Sequence, residues 1–225
     1  MSLLSKLFIN PGAEDRENAG SAYRRQVKYL QAVWNDDTYG LERLLRLFLC
    51  LVQFIYPILL IRQIFGRWGA TSRKLAVEVY NVFKLLFPLA ALFGGFYHYQ
   101  PILFIIAYLL TETIFHILNL IFLSDIHSAV VSYHRSMLLL FLHYAEVVLD
   151  FAVIYIGCGL LNVELTPVSA IYFSVVANTT VGFGDICAKG AAGQLVVTGQ
   201  LMVCVVFIVL FINYFSARKK EDDEE

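Results

Sequence analysis

The stretch Thr179-Thr180-Val181-Gly182-Phe183-Gly184-Asp185 decides how this chain is read. It lies between two long apolar runs, 137–160 and 194–215, and follows a short segment that opens with Thr166-Pro167. Threonine is a good helix N-cap, and proline suits the first helical position because its missing N–H would find no partner there anyway. A short helix is therefore expected from Thr166-Pro167 to Asn178. Its end runs straight into the heptapeptide, where Gly182 and Gly184 open backbone conformations closed to residues with a Cβ. Irregular backbone at membrane depth is tolerated only where it is buried in protein or lines a water-filled path.

Composition places the surroundings in lipid. The chain has 225 residues, 59% hydrophobic and only 16% charged. A soluble domain carries about 25% charged residues, so much of this surface is expected to face a bilayer. The net charge of −1 conceals segregation, because residues 11–46 and 218–225 are polar and charged while most of the sequence between them is apolar. Met1 to Phe8 is too short for the apolar core of a secretory signal, and none is expected. Cys50, Cys158, Cys187 and Cys204 are scattered singly, which suggests neither a zinc site nor a disulfide framework. No nucleic-acid partner is expected.

Crossing the hydrocarbon takes about 20 apolar residues as a helix. Four runs qualify: 76–97, 102–123, 137–160 and 194–215. A fifth, 44–65, is weaker, since Arg46 enters it and Pro57 interrupts it. The expected fold class is an all-α membrane protein. Residues 1–40 form a polar segment of cytosolic type, 41–136 a peripheral transmembrane domain of two or three helices, 137–216 the module around the heptapeptide, and 217–225 a charged tail. Within residues 14–35, Tyr23, Val27, Leu30 and Trp34 recur at helical spacing opposite Arg24, Arg25 and Lys28, the pattern of a helix lying on a membrane or on a neighbouring subunit.

The heptapeptide and its flanks resemble the signature of the tetrameric potassium channels, over residues 137–216, with Phe183 in place of the usual tyrosine. In that family four such loops replace the hydration shell of K⁺ with backbone carbonyls. The resemblance implies a module of outer helix, pore helix, selectivity filter and inner helix. It assigns K⁺ ligation to the carbonyls of Thr180, Val181, Gly182 and Phe183 and to the Thr180 hydroxyl, with Gly184 completing the filter. Val181 and Phe183 would turn outward and pack behind the loop. Asp185 would sit at the outer mouth, supported by Tyr172, whose hydroxyl is placed to bond it, and by Thr179. One loop per chain requires four chains around one path, hence a homotetramer. The only cofactor expected is K⁺ itself, and no catalytic residue is expected.

The filter of this family faces outward, so both flanking helices have their far ends in the cytoplasm. Arg218, Lys219 and Lys220 then lie inside, as do Arg62, Arg67, Arg73 and Lys74, while residues 95–101 lie outside without Lys or Arg. The expected location is the cell membrane, with the C-terminus and the N-terminus cytoplasmic and run 44–65 re-entrant or interfacial, bent at Pro57.

Departures from the family pattern bear on gating. Val176 stands where some members place a carboxylate behind the filter, and Cys187-Ala188 replaces a common Tyr-Pro. Cys204 occupies the place of a hinge glycine in the inner helix, which leaves Gly199 as the one glycine inside it and weakens the case for a glycine-hinged gate. No run carries the Arg or Lys at every third position that a voltage sensor needs, so strong voltage gating is not expected. The opening stimulus is left to lipid, pH, tension, or an unidentified ligand or subunit.

Lys84, Glu112, His116, His143, Glu146 and Asp150 fall in or near spanning runs, where each charge should face protein or water. Lys84 and Glu112 are expected to form an ion pair. The alternative, a proton or metal site on the stripes Glu112/His116 and His143/Glu146/Asp150, would make the chain a metal-binding protein or enzyme within the membrane. His127 and His134 are expected to be solvated at the inner membrane edge. Two further readings use the same filter: a poorly selective cation channel, and a non-conducting subunit of another channel.

Overall fold

The computed structural model describes residues 22–36, 39–68, 70–123, 133–164 and 166–224. Among these the regular elements are all helical: α1 (Ala22–Asn35), α2 (Gly40–Val52), α3 (Pro57–Phe65), α4 (Ala70–Phe93), α5 (Gln100–Phe122), α6 (Tyr133–Gly157), α7 (Pro167–Asn178) and α8 (Gly190–Glu224). Four stretches are long and apolar enough to span a membrane: Ser72–Phe93, Gln100–Phe122, Arg135–Gly157 and Gly190–Ile212. The chain is an all-α, multi-pass membrane protein. The first span stops at Phe93, short of the end expected at residue 97, because Gly94-Gly95 breaks the helix. Gly95 adopts φ +71°, a left-handed conformation natural to glycine, and a 3₁₀ turn over Phe96–His98 follows.

The weak fifth run is two helices, α2 and α3, meeting at a 65° bend. Pro57 lacks an N–H and opens α3 at its first position, so the helix breaks where the sequence said it would. A break inside an apolar segment frees carbonyls that must find other donors. Gln26 of α1 answers this, its Nε2 donating to the Cys50 carbonyl at 3.0 Å. The face that α1 buries therefore holds Ala22, Gln26 and Val33, while Val27 and Trp34 of the expected apolar stripe are exposed. Arg46 is buried with its charge met by Asp36 at 3.0 Å and Glu42 at 3.7 Å.

The chain divides into two compact units, Met1–Val82 with Phe122–His127, and Phe83–Ile121 with Ser128–Glu225. The first holds α1 to α3 and the start of α4. The second is built around α6, the most enclosed of the spans. One side of α6 packs Phe151 and Tyr155 against Phe173 of α7 and Phe207 of α8. Its other side packs Ala152 and Val153 against Leu92 of α4, Ile106 of α5 and Ala170 of α7. Small residues let the backbones close up. A Cβ on Gly157 would lie 2.9 Å from the Tyr97 carbonyl, and one on Gly193 would lie 2.4 Å from the Leu160 carbonyl.

Candidate functional site

The site begins at Thr166. Its hydroxyl accepts from the Ser169 N–H at 3.2 Å, and its own N–H donates to Ser169 Oγ at 2.7 Å, a reciprocal cap that fixes the start of α7. With Pro167 in the first turn, the helix starts and ends where the sequence places it. At its far end the last four carbonyls of an α-helix lack helical partners. Here all four are met. Val175 O accepts from the Thr179 N–H and hydroxyl at 2.9 and 2.8 Å, Val176 O from Val181 N–H at 3.2 Å, and Ala177 O from Thr180 N–H at 3.0 Å. Asn178 O accepts from the Cys204 thiol of α8 at 2.8 Å. Thr179 thus caps the helix and turns the chain into the loop.

Across the loop the backbone alternates in hand. Thr180, Gly182 and Gly184 have φ of +58°, +59° and +80°, whereas Val181 and Phe183 do not enter the positive region. Positive φ is natural for glycine and strained for a β-branched residue such as Thr180. Successive residues of opposite hand turn consecutive peptide carbonyls to the same side of the chain, where a regular strand would alternate them. The five residues Thr180 to Gly184 therefore have the backbone alternation that a row of carbonyl ligands needs.

Tyr172 of α7 supports the loop from behind. Its hydroxyl donates to Asp185 Oδ2 at 2.9 Å, and its ring stacks parallel to that of Phe183, with centroids 6.4 Å apart. The bond to the Asp185 carboxylate, first, then burial, raises the Tyr172 pKa above its ordinary value. Val181 and Phe183 are 55% and 69% exposed in the single chain, without the cover expected behind the loop. After Asp185 the chain is clipped back to the segment that follows α6: Asn162 N–H donates to Cys187 O at 3.0 Å, Cys187 N–H to Asn162 Oδ1 at 2.9 Å, and Lys189 N–H to Leu160 O at 2.7 Å. Val176 is buried.

A buried polar chain that sequence reasoning missed ties three helices together behind the loop. Tyr155 of α6 donates to Gln200 Oε1 at 2.6 Å. Gln200 of α8 donates to the Ser174 carbonyl and hydroxyl, and Ser174 of α7 donates to the Val148 carbonyl of α6 at 2.6 Å. The available signal was Gln200 itself, an amide set well inside a predominantly apolar span.

The intramembrane charges gather in the second unit. Lys84 Nζ lies 3.0 Å from Glu146 Oε1 and 3.5 Å from Glu112 Oε2, and it also donates to Thr113 Oγ1. The expected Lys84–Glu112 pair is present, but Glu146 is the closer partner. Thr113 donates to Glu146 Oε1 at 2.7 Å, and His143 Nδ1 stands 3.1 Å from Glu146 Oε2. The His116 ring faces His143 at 5.3 Å. Among the described residues no three His, Cys, Asp or Glu side chains converge as metal ligands would. His127 and the His134 side chain lie outside the described residues.

Residues 137–219 match a family model described as Ion channel, a stretch that encloses α7, the loop and the clipped segment after it. This part of the chain is similar to ion-channel domains. No curated protein and no solved structure matches the chain.

Proposed function

We propose that the protein is a potassium-selective channel that conducts K⁺ passively through a homotetrameric pore. The observation that carries this reading is the alternating hand of the backbone from Thr180 to Gly184. Carbonyls turned to one side suit a dehydrated cation, and a Thr-Val-Gly-Phe-Gly sequence at that place is of the type that selects K⁺. The carbonyls of Thr180, Val181, Gly182 and Phe183, with the Thr180 hydroxyl, would ligate the ion, and Asp185 would add negative charge where ions enter. The helix dipole of α7 supplies partial negative charge toward the cation from below.

One loop cannot surround an ion. Four copies around a closed axis can, and the bare surfaces of the single chain support this. Phe183 and Val181 are exposed, and only 22% of the most apolar part of Gly190–Ile212 is buried, against 61% for Arg135–Gly157. The unshielded flank of α8 serves both as pore lining and as contact with a neighbour. The charge pattern favours a cytoplasmic C-terminus and N-terminus. Voltage plays a minor part in this reading, because no helix among the described residues carries a ladder of basic residues.

The test is a bi-ionic reversal potential on purified protein in planar bilayers, with K⁺ on one side and Na⁺ on the other. Reversal far from zero, collapsing in Thr180→Ala or Gly182→Ala, is expected. Reversal near zero would replace this reading with a non-selective cation channel. Absence of homotetramers in mild detergent would replace it with a non-conducting subunit of another channel.

A further inference from the structure

Asp150 stands one turn after Glu146 in the middle of α6, is buried, and has an Oδ2 atom with no hydrogen-bond partner among the described residues. The groups around it leave its charge incompletely met. An ammonium has three N–H donors, and those of Lys84, on α4, are directed to Glu146, Glu112 and Thr113. His143, on α6 itself, is engaged with the second oxygen of Glu146, and His116 of α5 faces the His143 ring. From α7, Ser174 reaches this stretch of α6, where it is neutral and bonded to the Val148 carbonyl. An ionised carboxylate here would be cut off from water and would share one cation, Lys84, with Glu112 and Glu146, an arrangement proteins avoid by keeping a buried acid protonated.

We propose that Asp150 carries a proton, so that the Lys84/Glu112/Glu146/Asp150 cluster is a proton-binding site whose occupancy is transmitted to the pore helix along α6. Release of that proton leaves an aspartate carboxylate and delivers H⁺ to water, with nothing else consumed. The new charge would repel Glu146 one turn away and compete with it for Lys84. Between these two acids lies Val148, whose carbonyl holds Ser174 of α7, and Ser174 is held in turn by Gln200 of α8. A strain on this turn of α6 therefore reaches the helix that ends at the filter. The proton site stands on the geometry of α4, α5 and α6 alone, while its effect on conduction rests on the pore reading.

Infrared spectroscopy of the protein in lipid, with and without ¹³C-carboxyl aspartate, tests the site. A protonated-carboxyl band at neutral pH that moves with the aspartate label, and is lost in Asp150→Asn, is expected. A wild-type protein without a label-sensitive band overturns the site, including the case in which a metal cation rather than a proton neutralises Asp150. Where Asp150→Asn fails to fold, Asp150→Glu assigns the band: the carboxyl is kept but no longer moves with the aspartate label, and a band that still moves with the label overturns the site. The pH profile of K⁺ current tests transmission: a profile that flattens in Asp150→Asn is expected, and an identical profile overturns the coupling. A wild-type protein that carries no current removes the coupling together with the pore reading, while the spectrum still decides the proton site.

Discussion

The Gln200 amide of α8 reaches Ser174 of α7 twice, with Nε2 3.0 Å from the Ser174 carbonyl and 2.9 Å from its hydroxyl. Both residues are fully buried, and the Gln200 oxygen is taken by Tyr155 of α6. Polar contacts between helices in membranes average about 0.6 kcal/mol and reach about 1.7 kcal/mol. Leaving a buried partner unsatisfied costs more, about 1–3 kcal/mol. Gln200→Leu, which breaks all three contacts, should therefore destabilise the protein in lipid toward the upper end, by about 3 kcal/mol, whereas Tyr155→Phe, which leaves only the Gln200 oxygen bare, should cost about 1 kcal/mol. Thermal unfolding in nanodiscs measures both. Equal effects, or none, would show that the chain of contacts does not brace the three helices.

Thr180 holds a left-handed backbone that a threonine resists, at a cost of about 1–3 kcal/mol. Thr180→Gly should relieve that strain and raise the unfolding temperature while lowering K⁺ over Na⁺ selectivity, since the hydroxyl is lost. Thr180→Ala keeps the strained backbone and loses the hydroxyl, so it should lower selectivity without the gain in stability. Parallel unfolding and reversal-potential measurements separate the two effects. A destabilised Thr180→Gly protein would mean that the conformation is not strained.

Much of this architecture was legible in the sequence because its signals are local. Thr166-Pro167 starts a helix by capping chemistry alone, and Pro57 breaks one by lacking an N–H. The spans follow from apolar length, although Gly94-Gly95 ended the first one earlier than hydropathy suggested. Contacts across helices were the part that spacing could not give. A helical stripe shows that Glu146 shares a face with His143, but not that Lys84, more than sixty residues earlier, docks there. For the same reason α1 turned a different face inward, because Gln26 was needed at a carbonyl freed by a break in another helix. Thr180's conformation had no signal either, since its neighbours Gly182 and Gly184 are the residues expected to carry positive φ.

The Tyr172–Asp185 bond should survive neutral and mildly alkaline pH. Its donor is the neutral phenol, and the adjacent carboxylate raises the Tyr172 pKa, so the folded state holds that proton more tightly than the unfolded state does. The contribution is complete below the ordinary tyrosine value of about 10 and is lost as pH rises through the higher folded value. Ultraviolet titration should show a late-forming tyrosinate that is missing in Tyr172→Phe. That variant should also shorten the conducting lifetime of the filter, because Asp185 loses its anchor. A variant with unchanged titration and unchanged currents would place no weight on this bond.

Two glycines separate packing within a chain from packing between chains. A Cβ on Gly193 would press on the Leu160 carbonyl, which is backbone and cannot step aside, so Gly193→Ala should cost about 1–3 kcal/mol in the single chain. Gly199 meets nothing within 4 Å, and Gly199→Ala should raise helix stability by up to about 1 kcal/mol. In lipid, glycines on a helix face let neighbouring helices come close. If α8 meets another copy of the chain at Gly199, then Gly199→Leu should leave the chain folded yet weaken the tetramer. Native mass spectrometry in detergent, paired with circular dichroism, reads both quantities. Loss of helicity would assign Gly199 to the fold, and an undiminished tetramer would turn this face of α8 to lipid or to the pore.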